Sequence, residues 1–76
     1  MNDIKTLNML SVGQTANVKE VLSRGDIRRR LQDIGLIRGT RVSCVQVSPP
    51  GDPTAYLIRG AVIALRSEDS SNIVIE

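Results

Sequence analysis

The chain of 76 residues contains no histidine, phenylalanine or tryptophan, and only one tyrosine (Tyr56) and one cysteine (Cys44). Without histidine the usual proton shuttle near neutral pH is missing, which removes most acid–base chemistry. A single thiol excludes an internal disulfide, fits a reducing compartment, and cannot build the clustered Cys/His set that zinc requires. Its place in a β-rich run reads as a small buried apolar residue rather than as a nucleophile. No apolar run approaches the roughly 18 residues of a membrane span. The first ten residues, "MNDIKTLNML", lack the long apolar stretch of a signal peptide. The expectation is a soluble, cytoplasmic protein that does not insert into a membrane.

What remains is aliphatic. Isoleucine, leucine and valine number 23, about 30% of the chain and well above the ~20% typical of disordered sequences. A core can form from branched side chains, and eight valines favour strands. The length holds one domain, spanning 1–76, which buries only about 60% of the surface its unfolded chain exposes. Ten basic and eight acidic residues give a formal charge of +2, too little to imply polyanion binding. The charge is uneven, however: Arg24 to Arg41 holds six arginines and two aspartates, a local +4, and the rest is net negative.

Periodicity predicts a strand over Thr15 to Val21, entered through a glycine turn at Gly13. One helix follows. Ile27, Leu31 and Ile34 form a narrow apolar stripe, and Asp26 is placed to cap the first amides. Gly35 stands where a left-handed terminating residue is wanted, and Leu31 with Leu36 occupies the paired apolar positions of a Schellman ending. At two turns the helix must dock on a sheet to persist. Residues 40 to 47 read as a strand, bounded by Gly39 and by Pro49-Pro50, with an irregularity near Cys44-Val45. "SPPGDP" is the strongest loop signal. "TAYLIR" and "AVIALR" form a hairpin joined at Arg59-Gly60. "SEDSSN" holds one helical turn, and "NIVIE" closes as a strand. The inventory is all-β in the main: about five short strands and one short inserted α-helix, curled into a small barrel.

No catalytic residue is identified. Asp52, Glu68 and Asp69 read as solvated loop charges, and no serine or threonine has a base or a nucleophile elbow beside it. The sequence calls for no cofactor and no metal residue. A weak carboxylate site for Fe2+ or another divalent ion stays open, although no spacing proposes one. On a helical wheel Arg28 and Arg29 face solvent while Arg30 flanks the apolar stripe. Nucleic acid is not expected, because single-strand readers add stacking aromatics to a basic groove and only Tyr56 is available.

"MLSVGQTANV", "RRRLQDIGLIRGTRV", "SPPGDPTAYLIRGAVIALR" and "NIVIE" follow one another in the order and spacing of the ferrous iron transport protein A (FeoA) family, which the chain resembles from about Leu7 to Ile75. The resemblance implies an SH3-like small β-barrel, and matches Gly13, Leu31, Gly35, Leu36, Gly39 and Gly60 to the family's architectural positions. It also implies a non-enzymatic cytoplasmic accessory of bacterial ferrous iron uptake, recruited to a membrane transporter with a GTP-binding cytoplasmic domain. The expected contact surface combines Arg28, Arg29 and Arg30, the Leu36-Ile37-Arg38 corner, and the Pro50-Gly51-Asp52-Pro53 loop. Three alternatives are a small RNA-binding barrel, a homo-oligomeric scaffold joined through edge strands, and a metal-responsive regulatory domain like that of iron-dependent repressors.

Overall fold

In a computed structural model, which describes residues 4–76, the chain forms six strands and two helices. In chain order these are β1 (Lys5–Thr6), β2 (Thr15–Val21), α1 (Gly25–Asp33), β3 (Arg41–Val47), β4 (Thr54–Ile58), β5 (Ala61–Leu65), α2 (Ser67–Ser70) and β6 (Ile73–Ile75), with a 3-10 turn at Leu7–Met9. All strand pairs are antiparallel, in the order β1-β6-β2-β3-β4-β5. The last strand in sequence is therefore an inner strand of the sheet, and β1 and β5 are its edges.

Strand β2 is shared between two halves of the sheet. Its first part, Thr15 to Asn17, pairs with β3, while Val18, Glu20 and Val21 pair with β6 across an irregularity at Lys19. A bulge bends a strand and raises its twist, which is how one strand serves two partners that face different ways. A second register shift lies in β3 between Cys44 and Gln46, at the position where the sequence alternation slips. The hairpin between β4 and β5 turns on Arg59 and Gly60, with φ of 50° and 86°. Both positive values mark a type I′ turn, whose twist matches the flanking strands.

Inward residues of both halves converge on one core. Leu7, Leu36, Val42 and Ile73 are fully buried, and Val18, Leu31, Tyr56 and Ile58 nearly so. Two parts of this core go beyond the sequence expectation. Strand β1 is a sixth strand, and it delivers Leu7 to the centre of the molecule. Ile27, expected in the core, is 44% exposed, and Leu31 is the one residue of α1 that is buried.

The two ends of α1 explain that asymmetry. Its C-terminus is fixed by a Schellman motif: Leu36 N–H donates to the Leu31 carbonyl and Gly35 N–H to the Gln32 carbonyl, both at 3.0 Å. Leu31 and Leu36 are both buried, as that motif's apolar contact requires. Gly35 has φ of 110°, a region where a side chain is strained, and a Cβ there would collide with the Arg59 side chain. The N-terminus has no such clamp. Arg24 is the cap residue and makes no side-chain capping bond; the helix begins at Gly25, so Asp26 sits inside the first turn. The expected Asp26 cap is thereby corrected: its carboxylate still complements the helix dipole, but it stands past the capping position.

Candidate functional site

The arginine-rich helix leads into a short corner, Ile34 to Thr40, that feeds β3. This corner is held to β2 at its Gly39-Thr40 end by two backbone bonds, Val18 N–H to the Thr40 carbonyl (2.8 Å) and Gly39 N–H to the Val18 carbonyl (2.7 Å). Gly13 is tied similarly, its N–H donating to the Cys44 carbonyl at 2.8 Å. These turns are rigid attachments of the barrel, and the side chains between them project from fixed positions. Ile37 is 45% exposed and Arg38 is exposed.

The three consecutive arginines differ in what they do. Arg28 is engaged inside the molecule: its Nη1 donates to the Val21 carbonyl at 2.7 Å, tying the helix to the end of β2. Its place at the solvent face is corrected to this structural bond, although the residue stays exposed. Arg29 is exposed. Arg30 is exposed too and forms one wall of a groove lined also by Leu31 and Ile34 of α1 and its C-cap, by Ile63, Ala64 and Leu65 of β5, and by Arg66 and Asp69.

Leu36 leaves the candidate surface altogether. It is fully buried, because its Schellman position turns it inward onto Leu31. The Pro50-Gly51-Asp52-Pro53 loop stands at the other end of β3. Seven residues at ~3.3 Å each place roughly 20 Å of strand between that loop and the Ile37-Arg38 corner. The loop is also braced. Gly51 N–H donates to the Ser48 carbonyl at 2.6 Å, Ser48 N–H to the Pro53 carbonyl at 3.2 Å, and Asp52 Oδ1 accepts from Ser67 N–H at 2.8 Å. Asp52 thus caps α2 and is a structural residue, while Pro50 and Gly51 remain exposed. The Asp52–Pro53 peptide is cis. The candidate residues fall into two separate patches, with α2 between the loop and the Arg30 groove.

Two titratable side chains, Cys44 and Tyr56, are buried among the described residues. Cys44 is 2% exposed, and burial pushes its thiol pKa up, away from the thiolate that reactivity needs. Tyr56 is 1% exposed and donates to the Leu7 carbonyl at 3.4 Å. Burial raises its pKa as well, partly offset by a hydrogen bond with Ser70. The only aromatic ring is therefore unavailable for stacking on a base, which takes its one platform from the RNA-binding alternative. Among the described residues no three His, Cys, Asp or Glu side chains cluster as a metal site would require. No helix among them is long and apolar enough to cross a membrane.

The groove beside Arg30 was not legible in the sequence. Ile63 and Leu65 are plain strand residues there, and the adjacency of "AVIAL" to α1 depends on β5 being an edge strand. That is a property of topology, and no local pattern encodes it.

A curled antiparallel sheet with a short inserted helix and glycine corners defines a small SH3-like β-barrel domain. The family of FeoA domains matches residues 5–76, and the chain belongs to that family. A FeoA protein from Chlorobium tepidum superposes with a TM-score of 0.89 at 30% identity, covering 95% of this chain and 69% of that one. The zinc complex of Stenotrophomonas maltophilia FeoA, described as a prokaryotic SH3 domain protein, superposes at 0.85 with 28% identity over 95% of this chain and 89% of its own. A Porphyromonas gingivalis protein in which Fe(2+) transport protein A is fused to the Fe(2+) transporter FeoB is 34% identical over 70 residues. Those residues are 92% of this chain, which spans only 8% of that relative's length. The FeoA family is associated with ferrous iron transport, and a relative carries this domain in one polypeptide with the transporter.

Proposed function

We propose that this chain is a non-enzymatic cytoplasmic accessory of bacterial ferrous iron uptake, which binds the GTP-binding cytoplasmic domain of the ferrous iron transporter and regulates it. The observation that carries the reading is the fusion in the Porphyromonas gingivalis relative, since a domain joined covalently to a transporter works at high effective concentration beside it. The surface chemistry agrees. Positive charge is concentrated on α1 and its corner, arginine is enriched at protein interfaces, and the interior holds no activated nucleophile or acid–base pair. The contact residues are Arg29, Arg30, Ile37 and Arg38, with exposed Pro50 and Gly51 as a second patch.

The test is a pull-down of the full-length transporter in detergent by the wild-type chain and by an Arg29→Ala/Arg30→Ala variant. Arg28 is left in place because it holds α1 to β2. The variant is expected to retain less transporter while showing the wild-type circular dichroism spectrum. Equal retention by a folded variant removes the helix from the interface, and no retention by the wild type overturns the transporter reading.

A further inference from the structure

Among the described residues, strand β5 is an edge of the sheet with no neighbour beyond it. Its five residues, Ala61 to Leu65, carry no charge and no proline. The two-residue turn makes Ile58 and Ala61 a hydrogen-bonded pair, and bonded pairs then alternate along the hairpin: Tyr56 with Ile63, Thr54 with Leu65. It follows that Val62 and Ala64 direct both N–H and C=O away from β4. None of these groups meets a backbone partner among the turn, loop and cap bonds of the described chain.

Facing this row is α1. The groove between them, of about 350 Å³, has Leu31, Ile34, Ile63 and Leu65 along its apolar wall, with Arg30, Arg66 and Asp69 at its rim. At the far end the Arg59 side chain lies across Gly35. The groove's own lining, Arg30 and Arg66 against Asp69, carries a net charge of +1, and Arg59 adds a further positive charge beyond its end.

From this we infer that the groove takes an extended acidic segment that pairs as an additional strand on β5, with alternate apolar side chains against Leu31, Ile34 and Ile63. An edge strand with free amides beside a helix is the geometry of β-strand addition, in which the main chain supplies affinity and the pocket supplies selection. A helical ligand has no free backbone groups with which to satisfy Val62 and Ala64. A second copy of this chain would bring two arginine sets together, at the cost of like-charge repulsion. The inference rests on the transporter reading for the source of the segment, which is the transporter's cytoplasmic portion.

Binding of the full-length transporter in detergent tests this with three proteins: wild type, Ala64→Pro and Arg66→Glu. Proline at Ala64 removes an outward N–H and leaves the bonds to β4 intact, a substitution that edge strands tolerate. Both variants are expected to bind at least tenfold more weakly. In the wild-type complex, hydrogen exchange within 61–66 is expected to slow at Val62 and Ala64. If the wild type binds while both folded variants match it, or if exchange slows only outside 61–66, the groove is not the docking site and the transporter reading stands. If the wild type fails to bind, that reading falls and this one with it. Should a variant fail to fold, the exchange measurement on the wild-type complex decides.

Discussion

The two edges of the sheet are treated differently. Strand β1 is two residues long, begins on Lys5, and passes at once into a 3-10 turn whose Leu7 plugs the core. Strand β5 is five residues long, uncharged, and ends beside an apolar groove. Short length and an edge lysine are standard ways of preventing strand addition. One edge is closed by the chain itself, and the other is left with its backbone donors and acceptors free. In a barrel of this size an edge kept open is a surface that can be used, and the contrast locates it more sharply than the arginine run does.

Several measurements can break or sharpen this contrast. The largest effect is expected at the closed edge. Leu7→Ala, which empties a fully buried site, should cost about 2–5 kcal/mol by urea unfolding, a large share of the stability of so small a domain. A loss below about 1 kcal/mol would mean that the N-terminal segment is not fixed as described. Gly35→Ala comes next. It places a side chain at positive φ against Arg59, where α1 turns back past the open edge, and should cost about 1 kcal/mol or more. A neutral result would mean that the helix ends in another way.

The third effect is one of pH. Cys44 and Tyr56 titrate from reference values of 9.0 and 10.0, and burial raises both in the folded chain. Above the unfolded values the unfolded chain releases protons that the folded chain retains, so stability must fall as pH rises. Below them both states are protonated and these two groups contribute no slope. Melting temperature should therefore be flat between pH 6 and pH 8, where no histidine titrates, and should drop above about pH 9. Tyr56→Phe should reduce the alkaline drop. An undiminished drop in that variant would assign it elsewhere.

The smallest stability effect belongs to the open edge. Val62→Ala, at a side chain 62% exposed, should stay within about 0.5 kcal/mol of wild type, while Leu7→Ala does not. Similar costs at both edges would erase the distinction between them.

Much of this architecture is written locally. Strand β2 falls on Thr15–Val21 as periodicity predicts, the β3 bulge lies where alternation slips, and Gly35 with Leu36 completes a Schellman ending. Each depends on residues within a few positions of one another. The misses depend on partners far along the chain. Strand β1 has no pattern of its own and exists through Lys5 opposite Ile75 and Thr6 opposite Val74. Leu36 matched the surface corner in sequence but is turned inward by the motif it completes. Ile27 keeps the helical period of Leu31 and Ile34, yet it is 44% exposed. Arg28 is distinguished from Arg29 only by the Val21 carbonyl. The candidate site was legible as a concentration of arginines, and its groove was not, because edge status is set by pairings some tens of residues apart.

The position of β6 bears on how the chain acquires its shape. Residues 73–75 lie between β1 and β2, so the last strand of the barrel is required by its first two. Closing so long a loop costs only logarithmically more than a short one, about 0.6 kcal/mol per doubling, yet it must be closed before the pairing returns anything. A nascent chain halted before Ile73 would hold the β3-β4-β5 meander with half of β2 unpaired. Leu7 would then have no sheet to cover it. The barrel is thus committed late, since neither β1 nor the second half of β2 has its sheet partner until Ile73–Ile75 is present.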